Sequence, residues 1–289
     1  MGVALEKSEL VLTTPFGQVS GIEWRNEQAD CKTPCILLHG WLDNAASFDH
    51  LVPSLNCTRV FALDHYGHGK SDHKRDPGFY STIDYVLFCH AAADALGLQQ
   101  FCVIGHSLGA IVASLWALSD TRIEKMVWLD AVGSISSPSA HRPESIRTAI
   151  HQFFNIRPGT VYDSLQTAAE VRAGVDELLS LEAAHTLVER NMKSGPDGYR
   201  WRYDARLRLP TPIRMNEEDV LVCLTAVSQP LLILLAEQGW PAMNREQLKY
   251  RLQQLPDASI QWLAGGHHFH MNPIANGLPE AINRFLLEV

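Results

Sequence analysis

A serine set between two glycines, Gly105-His106-Ser107-Leu108-Gly109, constrains this chain more than any other stretch, because of what flanks it. Gln100 to Ile104 before it is an apolar, β-type run, and Ala110 to Ala117 after it reads as a buried helix. A serine on a sharp strand-to-helix turn has its hydroxyl pushed out of the sheet. Only residues without bulk fit beside such a turn, which accounts for Gly105 and Gly109. The helix N-terminus behind Ser107 offers free N–H groups and a partial positive charge to any developing oxyanion. Ser107 is therefore the candidate nucleophile.

The surrounding pattern is that of an α/β fold with a mostly parallel sheet. Strands are predicted at 8–13, 18–24, 34–38, 58–63, 100–104 and 125–129, and helices at 45–55, 82–96 and 107–118. Strand and helix resume at 230–236, 244–255, 258–263 and 277–288. Between about 134 and 228 the strand signal vanishes, and amphipathic helices separated by Pro158, Pro196 and Pro210-Thr211-Pro212 are expected instead. The expected organisation is a core of residues 1–133 and 229–289 with a helical cap, 134–228, inserted over the carboxyl edge of the sheet, where such folds bind ligands.

Composition removes several alternatives. A net charge of −8 without a basic block argues against nucleic acid or an anionic membrane surface as partner. The longest apolar run, Leu231 to Ala236, is too short to span a bilayer. No secretory signal is read at the N-terminus, and the six cysteines have no metal-type spacing, so reduced thiols and a cytoplasmic location are expected. Oligomeric state stays open, a homodimer being one option.

Ser107 needs a base, an orienting acid and an oxyanion hole. The base is sought in Gly265-Gly266-His267-His268-Phe269-His270, in the loop after the last strand, with His267 preferred to His268 because it directly follows the glycine pair. The H-H-x-H spacing matches no standard zinc motif, and no metal is expected. One oxyanion donor is the N–H of Leu108 and the second that of Trp41, in the turn His39-Gly40-Trp41, with His39 bracing that turn. Asp64 to Asp72 reads as a loop of structural residues. Arg200, Arg202, Arg206 and Arg208 crowd one short stretch, as pocket cations or as partners of carboxylates.

With these pieces in order, the chain resembles the α/β-hydrolase superfamily, in its serine-hydrolase-like branch. The resemblance rests on His39-Gly40-Trp41-Leu42-Asp43-Asn44, Asp64-x-x-Gly67-x-Gly69-x-Ser71, Gly105 to Gly109 and Gly266-His267-His268-x-His270-Met271. It implies an eight-stranded sheet with a helical cap and a cofactor-free Ser-His-acid triad. Relatives that open epoxides or dehalogenate alkanes carry Asp where Ser107 stands, which argues against both activities. Many relatives keep the acid in a Gly-x-x-Asp turn after the seventh strand, whereas this chain reads Ala236-Glu237-Gln238-Gly239 there. Asp130, ending the sixth strand, is the preferred acid and Glu237 the alternative. The expected activity is hydrolysis of a small-molecule ester, thioester or lactone through an acyl-enzyme. C–C bond hydrolysis by the same triad and a ligand-binding pseudo-hydrolase are the other readings.

Overall fold

The short apolar runs of the chain become central strands because they are buried on both faces, which removes the need for polar alternation. The computed structural model describes residues 5–239, 245–272 and 277–288. Its strands are β1 (Glu6–Thr14), β2 (Gly17–Arg25), β3 (Cys35–Leu38), β4 (Arg59–Leu63), β5 (Phe101–His106), β6 (Ile123–Leu129), β7 (Met192–Gly195), β8 (Gly198–Trp201), β9 (Leu231–Gln238) and β10 (Ser259–Gly266). Its helices are α1 (Thr82–Ala95), α2 (Leu108–Trp116), α3 (Arg142–Phe153), α4 (Leu165–Ala173), α5 (Leu181–Asn191), α6 (Glu217–Thr225), α7 (Arg245–Leu252) and α8 (Leu278–Leu287). Eight strands form one sheet in the order β1-β2-β4-β3-β5-β6-β9-β10, antiparallel at β1, β2 and β4 and parallel from β4 onward. All residues of β3 and β5 are buried.

Two apolar layers sandwich the sheet. Ile36, Leu38, Phe61 and Val103 face α1 and α2, while Leu37, Ala62, Ile104 and Val127 face α8 and the 45–55 segment. That segment is not the predicted helix. It forms two 3₁₀ turns, Ala45–Phe48 and Val52–Ser54, because Pro53 has no N–H to continue a helix. Ser81 and Asn216 do start helices α1 and α6 with capping boxes. Residue 244, the expected start of the helix that becomes α7, lies outside the described residues.

Between β6 and β9 run α3 to α6, together with a β7–β8 hairpin that hydrophobic patterning missed. Its turn, Gly195-Pro196-Asp197-Gly198, carries the Pro-Asp-Gly signature of a turn, and Gly198 takes φ +128°. Pro196 therefore closes a hairpin rather than separating helices.

The α5 region docks on the sheet through buried charge. Arg190, with a side chain 5% exposed, pairs with the fully buried Asp64 at 2.8 Å and with Glu9 at 2.8 Å, and donates to the Gly21 carbonyl. Asp64 also accepts the backbone N–H groups of Ala45 and Lys70, which makes it the structural hub of its loop. Removing one partner of a buried pair leaves an uncompensated charge. Arg190→Ala should therefore destabilise the protein by about 3–5 kcal/mol in urea unfolding; a loss under about 1 kcal/mol, the size of a surface pair, would show that the pair is dispensable.

Candidate active site

The turn after β5 is built around the absence of side chains. A Cβ on Gly105 would lie 2.4 Å from the Gly109 carbonyl carbon, and one on Gly109 would lie 1.9 Å from the Leu38 carbonyl oxygen. Strand, turn and helix close only because both positions are glycine. Ser107 sits at φ 50° and ψ −111°, outside helix and strand space. Such a conformation costs on the order of 1–3 kcal/mol and persists only where its surroundings over-determine it. Here the Ser107 N–H donates to the Leu129 carbonyl at 2.9 Å, and its own carbonyl accepts from Ala110 and Ile111. Among the described residues the Ser107 hydroxyl makes no hydrogen bond; contacts of this kind are often long until substrate binds.

Leu108 is the first residue of α2, so its N–H has no partner within the helix. The turn after β3 is braced as expected by His39, whose Nδ1 donates to the Gly40 carbonyl at 2.7 Å while Nε2 accepts from the His65 N–H at 3.0 Å. Burial keeps that imidazole neutral, its pKa lowered. Leu42 takes φ 62°, tightening the turn, and the Trp41 indole donates to the Leu207 carbonyl at 3.0 Å. Among the described residues no acceptor takes the N–H of Trp41 or of Leu108.

His267 and Asp130 meet. Asp130 follows β6 at φ 52°, a conformation Asp tolerates better than most residues. Its Oδ1 accepts from the Ala236 N–H at 3.0 Å, and its Oδ2 lies 2.6 Å from His267 Nδ1. A carboxylate can only accept here, so Nδ1 carries the proton and Nε2 is left as the basic nitrogen. Gly265 at φ +125° bends β10 ahead of His267, and the His267 carbonyl accepts from His106 Nε2 at 2.8 Å. Gly239 makes room for the acid: a Cβ there would come within 2.2 Å of Asp130 Oδ1. Gly239→Ala should push the carboxylate off His267 and lower kcat about 10²-fold with the circular dichroism spectrum unchanged. Unaltered turnover in that variant would mean that the pair is not used.

Glu237 goes elsewhere. It is exposed near the end of β9 and lines a surface groove with Arg245, Lys249 and Trp262. His268 is held between two carboxylates, its Nδ1 2.6 Å from Asp176 and its Nε2 3.2 Å from Asp43. Burial lowers its pKa, but Asp43 and Asp176 outweigh that and raise it to about 9. A ring protonated at neutral pH is a poor base, which argues against His268 in that role.

The four crowded arginines are engaged with other groups. Arg200 pairs with Asp197, Arg202 donates to the Met192 carbonyl, Arg206 pairs with Asp204, and Arg208 lies beside Tyr203. The arginine that reaches the site is Arg172 on α4, which donates to Asp43 at 2.8 Å and lies 3.1 Å from His268 Nε2. Sequence reasoning missed Arg172, Asp176, Asp43 and His106 as a group. Arg172 and Asp176 lie four residues apart at the end of α4, but Asp43 and His106 come from two other segments, and no local spacing links the three.

A family model described as alpha/beta hydrolase fold matches residues 33–273. A serine hydrolase-like protein of Danio rerio is 29% identical over 97% of this chain and 87% of its own length. A serine hydrolase-like protein of Dictyostelium discoideum is 30% identical over 82% of this chain and 70% of its own. A hypothetical protein from Pseudomonas aeruginosa PAO1, known by crystal structure, superposes with a TM-score of 0.87 at 34% identity, covering 96% of this chain and 97% of that one. With the eight-stranded sheet and the strained serine turn, these likenesses place the chain in the α/β-hydrolase superfamily, in its serine-hydrolase-like branch.

Proposed function

We propose that this protein is a serine hydrolase that cleaves an ester, thioester or lactone of a small molecule through an acyl-enzyme. Ser107 attacks the carbonyl while His267 Nε2 takes its proton, and the N–H groups of Trp41 and Leu108 hold the oxyanion. His267 then returns the proton to the leaving group, and water activated by the same imidazole releases the acid. Asp130 fixes the histidine tautomer and stabilises the imidazolium. The observation that carries this reading is the 2.6 Å contact of His267 Nδ1 with Asp130, beside a serine held at positive φ.

The segment from 134 to 228 acts as a cap over the carboxyl edge of the sheet, tied down by Arg172 and Arg190. Reduced buried cysteines accord with a cytoplasmic enzyme. No helix among the described residues is long and apolar enough to cross a membrane. The test is labelling by a fluorophosphonate, which needs an activated serine, beside turnover of p-nitrophenyl esters of graded acyl length, lactones and thioesters. Labelling at Ser107 with turnover in one of these series is expected. A serine inert to the probe, with no turnover in any series, would leave the ligand-binding reading in its place.

A further inference from the structure

Three potential ligand atoms converge where the turn after β3, the end of β5 and the loop after β10 meet. His106 donates from Nε2 to the His267 carbonyl, so its neutral ring turns a lone pair outward at Nδ1. That nitrogen is buried, has no hydrogen-bond partner among the described residues, and lies 3.9 Å from Asp43 Oδ2. Two acceptors thus face each other without a donor between them, and leaving such a group unsatisfied costs about 1–3 kcal/mol. Gly40 leaves the gap unfilled, since a Cβ there would sit 2.9 Å from His106 Nδ1 and 3.0 Å from Asp43 Oδ2. His268 Nε2 lies 3.2 Å from the same carboxylate oxygen, and all three atoms fall within 4.8 Å of one another.

We propose that Asp43 Oδ2, His106 Nδ1 and His268 Nε2 form a binding site for a divalent transition-metal ion of the zinc or cobalt type. Tetrahedral ligands at zinc distances stand about 3.3 Å apart, so these atoms need move by less than about an ångström. The outer groups are those of a metal centre: each histidine donates its other N–H to an oxygen, His268 to Asp176 and His106 to the His267 carbonyl. Arg172 is the competitor, because its guanidinium supplies the positive charge at Asp43. A divalent ion takes the place of that guanidinium beside the buried Asp43, so its carboxylate keeps a counter-charge when the site fills. Filling the site frees α4 from Asp43 and locks the residues on either side of the His267 backbone, so it lowers turnover.

The test uses the Ser107→Ala protein, which keeps the site while separating the result from any question of ester hydrolysis. Cobalt(II) should give a visible d–d band that saturates at one ion per chain. His268→Asn should weaken uptake at least about a hundredfold. Arg172→Gln, at a position whose side chain is 16% exposed, should tighten it about tenfold by removing the competing cation. That gain is not expected of an incidental surface site, and it stays readable if His268→Asn fails to fold. Arg172→Gln protein without a saturable band at millimolar cobalt would overturn the proposal. So would a band dominated by thiolate charge transfer, which would put the ion on the buried Cys31, Cys35 and Cys57 cluster instead.

Discussion

Replacing Ser107 with alanine should lower kcat by at least about 10⁴-fold and abolish fluorophosphonate labelling while leaving the fold in place. The fold should survive because the turn is held by main-chain groups. The Ser107 N–H bonds the Leu129 carbonyl, and the Ser107 carbonyl caps the first turn of α2. Neither bond involves the hydroxyl, and alanine meets the same penalty as serine at φ 50°. The two glycines that let β5 and α2 approach remain unchanged. Loss of turnover with an unchanged unfolding midpoint is thus the expected pair of results. Retained hydrolysis of the native substrate by Ser107→Ala would remove the central claim of a serine nucleophile.

What could be read from the sequence was local. Gly105 and Gly109 announced a close backbone approach because a short-range clash needs only neighbours to explain it, and β3, the start of β5 and the end of β6 announced themselves as short apolar runs. Where two local signals competed, patterning gave the wrong element: Pro53 ended a helix that hydrophobic spacing suggested, and the Pro-Asp-Gly turn made a hairpin inside a stretch of helices. Long-range assembly was out of reach. The cysteines at 31, 35, 57 and 102 carry no metal-type spacing, yet strand pairing gathers all four into one face of the core. In the same way Asp43, Arg172, Asp176 and His268 form one charge network only because α4 and the turn after it meet the turn after β3 and the loop after β10.

That network also explains why two adjacent histidines have different chemistry. His267 and His268 share a loop and a glycine pair, so spacing alone could rank them only weakly. In the fold, one ring faces Asp130, which holds the proton on Nδ1, while the other is wedged between two carboxylates that favour its charged form. The environment of each ring, supplied by β6 for one and by the Asp43 turn and α4 region for the other, separates their roles.

The acid admits the same argument, and it gives the sharper experiment. Asp130→Asn should lower kcat by about 10⁴-fold, whereas Glu237→Gln should cost far less. Asparagine preserves the shape of Asp130 and tolerates its left-handed backbone, φ 52°. It cannot preserve the charge. An amide facing His267 Nδ1 can stabilise the tautomer with its proton on Nε2, which has no lone pair to receive the Ser107 proton, and it offers no compensation to the imidazolium. Asp130 also has the geometry of a dedicated partner. One oxygen is anchored by the Ala236 N–H, the other is aimed at His267, and Gly239 gives way to both. Glu237, one residue beyond that anchoring N–H, is exposed together with Gln238, because β9 leaves the buried core after Ala236. Steady-state kinetics of the two variants on one substrate, with circular dichroism to confirm folding, decides between them. A larger loss from Glu237→Gln than from Asp130→Asn would transfer the role to the glutamate and require the β9 turn to rearrange when substrate binds.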